Sequence, residues 1–249
     1  MEYRPLLVAV TMGFALVLGA CGGSDSGTTP PTASNLAGTW YGNYDLTGTP
    51  TTVSVVVGSG NSVTSVSIGG IDAGLTGSMA VIQSNLYGYV LYQGGSLYDQ
   101  GGFLVDTAEQ HAGFLSSAGD FGVVEKGGVA TTYVEADKVG TWSGYTITLD
   151  ASGNLTDYST SSVTVAADGS FSGTDSTTGV FANGTAKLLL LSATDGTYTG
   201  QFTNTAITNG DIKVWISPDK TFAAAYACAS GTTPATGLDW CTYSSWAKQ

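Results

Sequence analysis

The sequence predicts an all-β protein built from two successive antiparallel units. First, the phrase GTWYG at residues 38–42 returns as GTWSG at residues 140–144. Second, apolar and polar residues alternate in several short runs, such as SVTV at residues 162–165, which is typical of half-buried antiparallel strands. Third, Asn-Gly and Asp-Gly pairs between the runs favour the positive φ angles of two-residue hairpin turns. No later stretch shows helical periodicity over a useful length.

The chain begins with a pattern typical of an exported protein. Arg4 supplies a positive charge, and the 13 residues from Leu6 to Leu18 form an apolar run. This run is shorter than the roughly 20 apolar residues of a bilayer-spanning helix, and it fits the apolar region of a signal peptide. We therefore expect residues 1–20 to be a lipoprotein signal peptide.

The end of this run resembles the lipobox of bacterial lipoproteins. The resemblance rests on Leu18-Gly19-Ala20-Cys21, two small residues and a cysteine directly after the apolar run. It implies that Cys21 becomes the mature N-terminus and carries the lipid, palmitate included. An ordinary signal peptide followed by a chance cysteine is the alternative. Gly22, rather than Asp, at the next position implies the outer membrane in a Gram-negative host.

Residues 21–35 predict a flexible tether behind the lipidated cysteine. After Cys21 the segment holds only Gly, Ser, Thr, Pro, Asp, Asn and one alanine. Such a composition cannot bury enough apolar surface to offset the entropy of ordering. A coil of this length reaches roughly 20 Å. Leader and tether together predict a protein anchored to a membrane rather than spanning it.

The rest of the chain predicts a first β unit at residues 36–128, a joint at 129–137 and a second β unit at 138–249. Each unit has about seven or eight short runs, spaced as in small barrels or sandwiches, and about 100 residues suffice to bury a core. The strands predicted for the first unit are Thr52–Val57, Ser62–Ile68, Ser78–Gln83, Leu86–Tyr92, Gly102–Val105, His111–Ser116 and Phe121–Glu125. Those predicted for the second unit are Thr146–Leu149, Ser161–Val165, Ser170–Gly173, Ala186–Leu191, Thr197–Phe202, Ile212–Ile216 and Thr221–Ala227.

Two further patterns support the repeat and its turns. Residues 105–114 and 216–225 share one strand–turn–strand shape. Hairpin turns are predicted at residues 168–169, 183–184, 195–196 and 209–210, each an Asp-Gly or Asn-Gly pair.

Two resemblances concern barrels. The Gly-x-Trp of the repeated phrase resembles the first strand of lipocalins, in which the tryptophan plugs one end of the barrel; Trp40 and Trp142 would take that place, and plain core tryptophans are the alternative. Residues 103–115 resemble the strand–turn–strand of the lipidated barrels of transferrin-binding protein B and related surface lipoproteins. Phe103, Ala108 and Gly113 fit that pattern and the remaining positions depart from it. The resemblance implies a barrel in the first unit and no particular partner.

Cysteine usage predicts one disulfide. With Cys21 assigned to the lipid, Cys228 and Cys241 remain, and an exported protein meets an oxidising compartment. Closing a loop of about 14 residues stabilises by roughly 3 kcal/mol, and it would hold the C-terminal tail on the second unit. A metal pair or reactive thiols are the alternative, but two cysteines without a nearby histidine leave a zinc site short of ligands.

The signals for catalysis are few. His111 is the single histidine, and Glu109, two residues earlier, would share a strand face with it. An acid–base pair also requires a nucleophile or a substrate pocket, and no Gly-x-Ser-x-Gly elbow is present, so we expect His111 to be a surface or hairpin residue. Asp99 paired with Asp106 or Glu109 supports only a weaker hypothesis, an enzyme acting on envelope polymers.

Metal and cofactor motifs are also missing from the sequence. The Asp-containing turn at residues 150–154 lacks the alternating ligands and closing Glu of an EF-hand. No haem motif, zinc motif or phosphate-binding glycine loop is present. We expect no metal site and no cofactor.

Tyrosine is abundant, with 13 copies. Tyr87, Tyr89, Tyr92 and Tyr98 cluster in the first unit, and the first two must share a strand face. If they are exposed, they form a binding patch for a glycan or a protein. If they are buried, they belong to the barrel wall.

The charge of the chain excludes two kinds of partner. The formal net charge is -12, Arg4 is the single arginine and the lysines are scattered. Nucleic-acid binding requires clustered cations against phosphate. We exclude nucleic acid, and also charge-driven docking to an anionic membrane.

These observations predict a lipoprotein of the cell envelope, at the outer membrane, that acts as a non-catalytic binding or interaction module. Its partners would be the membrane, through the lipid, and a protein, a glycan or a small apolar ligand. The alternative is a lipocalin-like carrier of a small apolar ligand, which requires a cavity inside one barrel.

Overall fold

The structure, a computed structural model, describes residues 35–46, 49–83, 85–150, 155–176, 182–203, 209–232 and 241–249. It is all-β, as predicted, with two β units in succession. The predicted leader, Cys21 and the tether up to residue 34 lie outside the described residues. Within the described ranges, no helix has the length and apolar character needed to cross a bilayer.

The first unit is a curled antiparallel sheet of nine strands. They are β1 (Gly38–Leu46), β2 (Thr49–Val57), β3 (Ser62–Ile68), β4 (Ile71–Asp72), β5 (Leu75–Gln83), β6 (Leu86–Gln93), β7 (Ser96–Val105), β8 (His111–Ser116) and β9 (Phe121–Lys126). Their order in the sheet is β2-β1-β9-β8-β7-β6-β5-β3-β4, and β2 also pairs with β3. This last pairing curls the sheet into a ring, with the short β4 beside β3. We call this unit the first barrel.

The second unit is a closed barrel of eight strands, each paired with its neighbours in the chain. They are β10 (Gly140–Leu149), β11 (Leu155–Val165), β12 (Phe171–Asp175), β13 (Ala182–Ser192), β14 (Thr197–Thr203), β15 (Gly210–Ile216), β16 (Phe222–Ala229) and β17 (Cys241–Lys248). The sequence predicted a tail at the position of β17, whereas this segment is the strand that closes the barrel between β16 and β10. A short 3-10 helix, Glu135–Lys138, lies between the two units.

The repeated phrase opens the first strand of each unit and closes one barrel end in the same way. Each indole Nε1 donates to the carbonyl four residues earlier, at 2.9 Å from Trp40 and 2.8 Å from Trp142. The last strand of each barrel places a lysine over the indole. The ammonium of Lys126 lies 5.3 Å from the Trp40 ring centroid, and that of Lys248 lies 5.0 Å from the Trp142 centroid, within cation–π range. The strand register therefore makes positions in one barrel equivalent to positions in the other.

Two of the four predicted turns are confirmed. Residues 168–169 and 195–196 lie in turns between strands, and their glycines have φ of 86° and 66°. The turn predicted at residues 183–184 is wrong, because both residues lie inside β13. The glycine there allows close packing, since a Cβ at that position would lie 2.8 Å from the Phe171 ring. Residue 210 begins β15, and residues 204–208 lie outside the described part of the chain.

The two barrels pack against each other through a shared apolar core. Its members on the first barrel are Leu86, Leu104, Leu115, Phe121 and Val123; on the second they are Ile147, Trp215, Phe222, Ala224, Cys228, Cys241 and Tyr243. Phe121 lies at the centre, with its ring centroid 5.5 Å from that of Trp215. The predicted disulfide is confirmed: Cys228 of β16 and Cys241 of β17 are bonded, and they belong to this core.

Candidate functional site

The lumen of the first barrel contains a cavity of about 320 Å³. The corresponding space in the second barrel is about 20 Å³. The apolar lining residues of the cavity are Val53, Val55, Val63, Val66, Ile68, Leu75, Met79, Leu91, Phe103, Phe114, Ala118 and Val124; the polar ones are Tyr44, Tyr89, Tyr98, Asp99, Ser116 and Asp120. A concave apolar space with a few polar groups is the usual form of a small-molecule site.

Aromatic packing closes one end of this cavity. The Phe103 ring lines the cavity and meets the Trp40 indole edge to face, with centroids 5.4 Å apart and an interplanar angle of 81°. Both side chains are buried, and Lys126 lies over the indole. The opposite end carries the lining residues Tyr98, which is 54% exposed, and Ala118 in the turn between β8 and β9. We call this opposite end the mouth.

A hydrogen-bonded carboxylate lies at the mouth. The Tyr89 hydroxyl donates to Asp99 Oδ2 at 2.9 Å, and Ser117 Oγ donates to Asp99 Oδ1 at 3.2 Å. Gly101 makes room for this contact, because a Cβ there would lie 2.7 Å from the Tyr89 hydroxyl. Burial raises the pKa of Asp99 above its ordinary value, although the hydrogen bonds oppose the shift. Burial, followed by the charge of Asp99, also raises the pKa of Tyr89.

A second carboxylate and further aromatic rings surround the same end. Asp120, in the turn between β8 and β9, lines the cavity together with Tyr44 and Tyr98. Burial raises the pKa of Tyr44, and the nearby charges of Asp120, Tyr98 and Asp99 raise it further. The Tyr44 ring packs on Phe114 with centroids 5.7 Å apart. The mouth therefore combines two carboxylates with a group of aromatic rings.

One row of side chains distinguishes the filled barrel. Trp246 of β17 lies opposite Gly144 of β10, which lies opposite Ser161 of β11. The glycine has no side chain to obstruct the lumen, so the indole spans it and donates from Nε1 to Ser161 Oγ at 2.7 Å. The hydroxyl of Thr146 lies 2.6 Å from that of Ser161 and extends the network. This row fills the lumen across three strands.

At the equivalent row of the first barrel, the side chains are too small to span the lumen. Trp40 pairs with Lys126 in the first barrel, and Trp142 pairs with Lys248 in the second, so the two lysines are equivalent. Two residues before the lysine, the first barrel has Val124 and the second has Trp246. Across the shared glycine the first barrel has Val53 where the second has Ser161. Val124 and Val53 both line the cavity. Replacement of an indole by an isopropyl group therefore accounts for part of the empty volume.

The single histidine forms a second polar cluster, between the barrels. Of the two positions expected for His111, surface or hairpin, the surface position is wrong: the residue begins β8, directly after a hairpin turn, and is only 9% exposed. Its Nδ1 lies 2.8 Å from Asp106 Oδ2, and its Nε2 lies 2.9 Å from Asp219 Oδ2 in the second barrel. The ring stacks on Phe222 with centroids 5.3 Å apart. Glu109, the partner suggested by spacing, sits instead in the preceding turn with φ of 56°.

This cluster favours a charged imidazole. Burial alone would lower the pKa of His111, but hydrogen bonds to Asp106 and the charge of Asp219 outweigh it and raise the pKa. Burial likewise opposes ionisation of Asp106, yet bonds from His111 and the backbone lower its pKa. The pKa of Asp219 is about 2, because hydrogen bonds from Ser217 and Thr221 and the histidine charge outweigh burial. His111 thus links two carboxylates across the interface.

The link joins the two related hairpins noted in the sequence. The Asp106 N–H donates to the carbonyl of His111 at 2.9 Å, and the Ser217 N–H donates to that of Phe222 at 2.8 Å. His111 and Phe222 therefore occupy equivalent positions, and they touch. Contact between equivalent positions is the mark of a local pseudo-two-fold axis. Equivalent positions of the two barrels therefore meet at this point of the interface.

Three side chains of this cluster offer atoms that could hold a metal ion. Ligand atoms of His111, Glu125 and Asp219 lie within 4.8 Å of one another. A cation here would have to displace the contact between His111 Nε2 and Asp219. Glu125 Oε2 already accepts the backbone N–H of Asp219 at 2.9 Å. The arrangement is explained by hydrogen bonding between the barrels.

The structure divides the predicted tyrosine patch. Tyr87 and Tyr89 share the inner face of β6 and are 3% and 7% exposed, whereas Tyr92 and Tyr98 are 40% and 54% exposed. Tyr89 and Tyr98 line the cavity. Half of the set therefore belongs to the candidate site, and the four do not form one exposed patch.

The carboxylates suggested as a catalytic pair belong to separate networks. Asp99 bonds to Tyr89 in the lumen, and Asp106 bonds to His111 between the barrels. Sequence reasoning did not select Asp120 or Val124. An alignment of the two repeats on their tryptophans and terminal lysines would have placed Val124 against Trp246.

The chain matches no protein-family model, and no curated protein matches it. Among solved structures, it is similar to a protein of unknown function from the DUF3598 family of Nostoc punctiforme, with 11% identity over 86% of this chain and 96% of that one, and a TM-score of 0.37. It is also similar to a double mutant of the vaccine antigen transferrin-binding protein B of Haemophilus parasuis, with 10% identity over 80% of this chain and 60% of that one, and a TM-score of 0.32. Neither similarity identifies a function.

Proposed function

We propose that the first barrel binds a small, largely apolar molecule, and that the protein is a non-catalytic carrier or receptor for it. The lumen cavity of about 320 Å³ is the observation that carries this proposal. Small-molecule sites commonly span about 300–1,000 Å³. A barrel of about eight strands is either filled by side chains or has room for one small ligand, and this chain has one filled barrel and one with a cavity.

The cavity volume limits the size of the ligand. An apolar cavity of about 150 Å³ holds one benzene molecule. Roughly twice that volume accommodates about 10–14 non-hydrogen atoms. The aliphatic walls favour an alkyl or aromatic body, because contact with valine and leucine side chains removes apolar surface from water.

The polar groups support binding rather than chemistry. In the described part of the lumen they are phenols, hydroxyls and two carboxylates. The single histidine, His111, is held outside the lumen by Asp106 and Asp219. Acyl transfer would call for a nucleophile paired with a general base such as histidine.

We further propose that the protein is anchored at the cell envelope, in the outer membrane, by a lipid on Cys21. The lipobox-like Leu18-Gly19-Ala20-Cys21 and the polar tether after it support this. Membrane fractionation with and without globomycin, and of a Cys21→Ala variant, tests it. Globomycin and the Cys21→Ala substitution should each change the membrane fraction in which the protein is recovered. Unchanged fractionation would contradict the anchoring proposal.

Calorimetric titration with 1-octanol tests the binding proposal. The decisive variant is Val124→Trp with Val53→Ser, which transplants the indole and its acceptor from the filled barrel. Binding to the wild type and a loss of about tenfold or more in the variant are expected, because tenfold corresponds to about 1.4 kcal/mol of lost contact. The matched control is Val56→Ser, on the outer face of β2, the strand that carries Val53. It should bind 1-octanol as the wild type does. Equal binding by all three proteins, or by none, would contradict the proposal.

A further inference from the structure

The mouth of the cavity has a chemistry that specifies one end of the ligand. On the basis of the proposed binding function, we infer that the ligand is an organic ammonium ion. Its apolar body lies in the lumen, and its cationic nitrogen lies at the mouth beside Asp99 and Asp120.

The charges around the cavity have one sign. Among the described residues that line it, the charged ones are Asp99 and Asp120. Lys126 lies over Trp40 at the closed end, behind Phe103. A cation at the mouth is therefore attracted, and a carboxylate placed there meets like charges in a partly desolvated space.

The aromatic rings add a second preference for a cation. Tyr44, Tyr89, Tyr98 and Phe114 line the cavity, and Tyr44 is close enough to both carboxylates for their charges to act on it. The face of an aromatic ring carries negative potential and attracts ammonium groups. Aromatic faces combined with carboxylates form the usual environment for organic ammonium ions.

The hydrogen-bond pattern of Asp99 is suited to an added donor. Tyr89 and Ser117 each donate to one of its oxygens, and a carboxylate has about four acceptor positions. Burial without a cation disfavours the ionised form of Asp99. An ammonium group that donates to Asp99 would offset that burial, and charge-assisted hydrogen bonds are about twice as strong as neutral ones.

Three probes with the same alkyl chain separate this inference from the proposed function. They are n-octylamine, 1-octanol and octanoate, titrated into the full protein at pH 7. We expect octylamine to bind about tenfold or more tightly than octanol, with octanoate weakest, since a charge-assisted hydrogen bond is stronger than a neutral one. In Asp99→Asn the ratio of octylamine affinity to octanol affinity should fall about tenfold.

Asp211→Asn is the matched control. Asp211 lies on β15 in the second barrel, where it accepts from Gln201 at 3.4 Å, so the variant makes the same change in net charge away from the cavity. It should leave the order of the three probes unchanged. Equal loss in both Asn variants would show that only net charge matters and would overturn the inference.

The remaining outcomes distinguish the two proposals. Octanoate or octanol binding as tightly as octylamine would overturn the ammonium inference and leave a binding barrel. Binding of none of the three would overturn both. Octylamine binding that survives Val124→Trp with Val53→Ser would place the amine outside the lumen and also contradict the inference.

Discussion

The two barrels share strand order, an opening Gly-Thr-Trp and a lysine over that tryptophan, yet one is hollow and the other is packed. The difference lies in few positions: Trp246 spans Gly144 to reach Ser161, whereas Val124 and Val53 flank Gly42. The scaffold is set by the repeat, and a cavity arises where the lumen side chains are small. The proposed binding function therefore depends on the lumen side chains and not on the fold.

The largest effect should follow from emptying the filled barrel. Trp246→Ala should lower the free energy of unfolding by about 3–5 kcal/mol, the range for removal of a buried aromatic side chain. Urea denaturation followed by circular dichroism measures it. Trp246→Phe, which keeps most of the ring, should lose less than half as much. A loss in Trp246→Ala no greater than that in Val124→Ala would contradict the contrast between the barrels.

The disulfide lies in the second barrel, so its removal should affect stability without affecting the cavity of the first barrel. Replacing Cys228 and Cys241 together by serine should lower stability by about 3 kcal/mol, the value for a loop of this length. Thermal unfolding with and without reductant measures it, and reductant should affect the wild type alone. Because the cavity is in the other barrel, octanol affinity should stay within about twofold. Loss of octanol binding would instead show that the cavity of the first barrel depends on the disulfide-bonded strands β16 and β17.

The histidine link predicts how the association of the barrels depends on pH. Because the folded pKa of His111 is raised, its contribution is complete below the unfolded value of about 6.5 and is lost as pH rises through the folded pKa. Because the pKa values of Asp106 and Asp219 are lowered, their contribution is present above about 3.9 and is lost as pH falls through the folded values, about 2 for Asp219.

The stabilising effect of this link should therefore be greatest between about pH 4 and pH 6.5. His111→Gln should lower stability there by about 2 kcal/mol, as for a lost hydrogen bond to a charged group. The difference between variant and wild type should shrink above neutral pH. Urea denaturation across pH 4–9 measures it. A difference that grows with rising pH would contradict a charged imidazole between the carboxylates.

The smallest effect compares two equivalent valines. Val55 pairs with Trp40 and lines the cavity, whereas Val163 pairs with Trp142 and is buried in the filled lumen. Val163→Ala should lose about 1.5–2 kcal/mol, at about 0.8 kcal/mol for each methyl-sized group. Val55→Ala should lose less than half of that, because its side chain borders empty space. Equal losses would indicate that the first lumen is packed as well.

Much of the fold could be predicted from the sequence because its signals are local. Alternation places the strands, Asp-Gly pairs mark turns, and Cys228 and Cys241 form the expected disulfide. The prediction failed at residues 183–184, where the glycine serves close packing inside β13. It also failed at Cys241–Lys248, because one edge of that strand pairs with β10, at the start of the second unit, and only the other edge pairs with its neighbour β16.

The candidate site was less predictable because it depends on distant contacts. The sequence predicts a surface or hairpin position for His111, but it gives no sign of the contact with Asp219, 108 residues away. The cavity cannot be seen from any single run, since it results from what Val124 and Val53 lack relative to Trp246 and Ser161. Only the register of the two repeats makes that comparison available.

The most direct test of ligand binding by the hollow barrel is a crystal of the protein with 8-bromooctylamine, in which anomalous scattering locates the bromine. The account predicts one bromine peak deep in the first lumen, against Phe103, with the amine at Asp99 and no peak in the second lumen. Bromine in the second lumen, or bound only on the outside of the barrels, would contradict it.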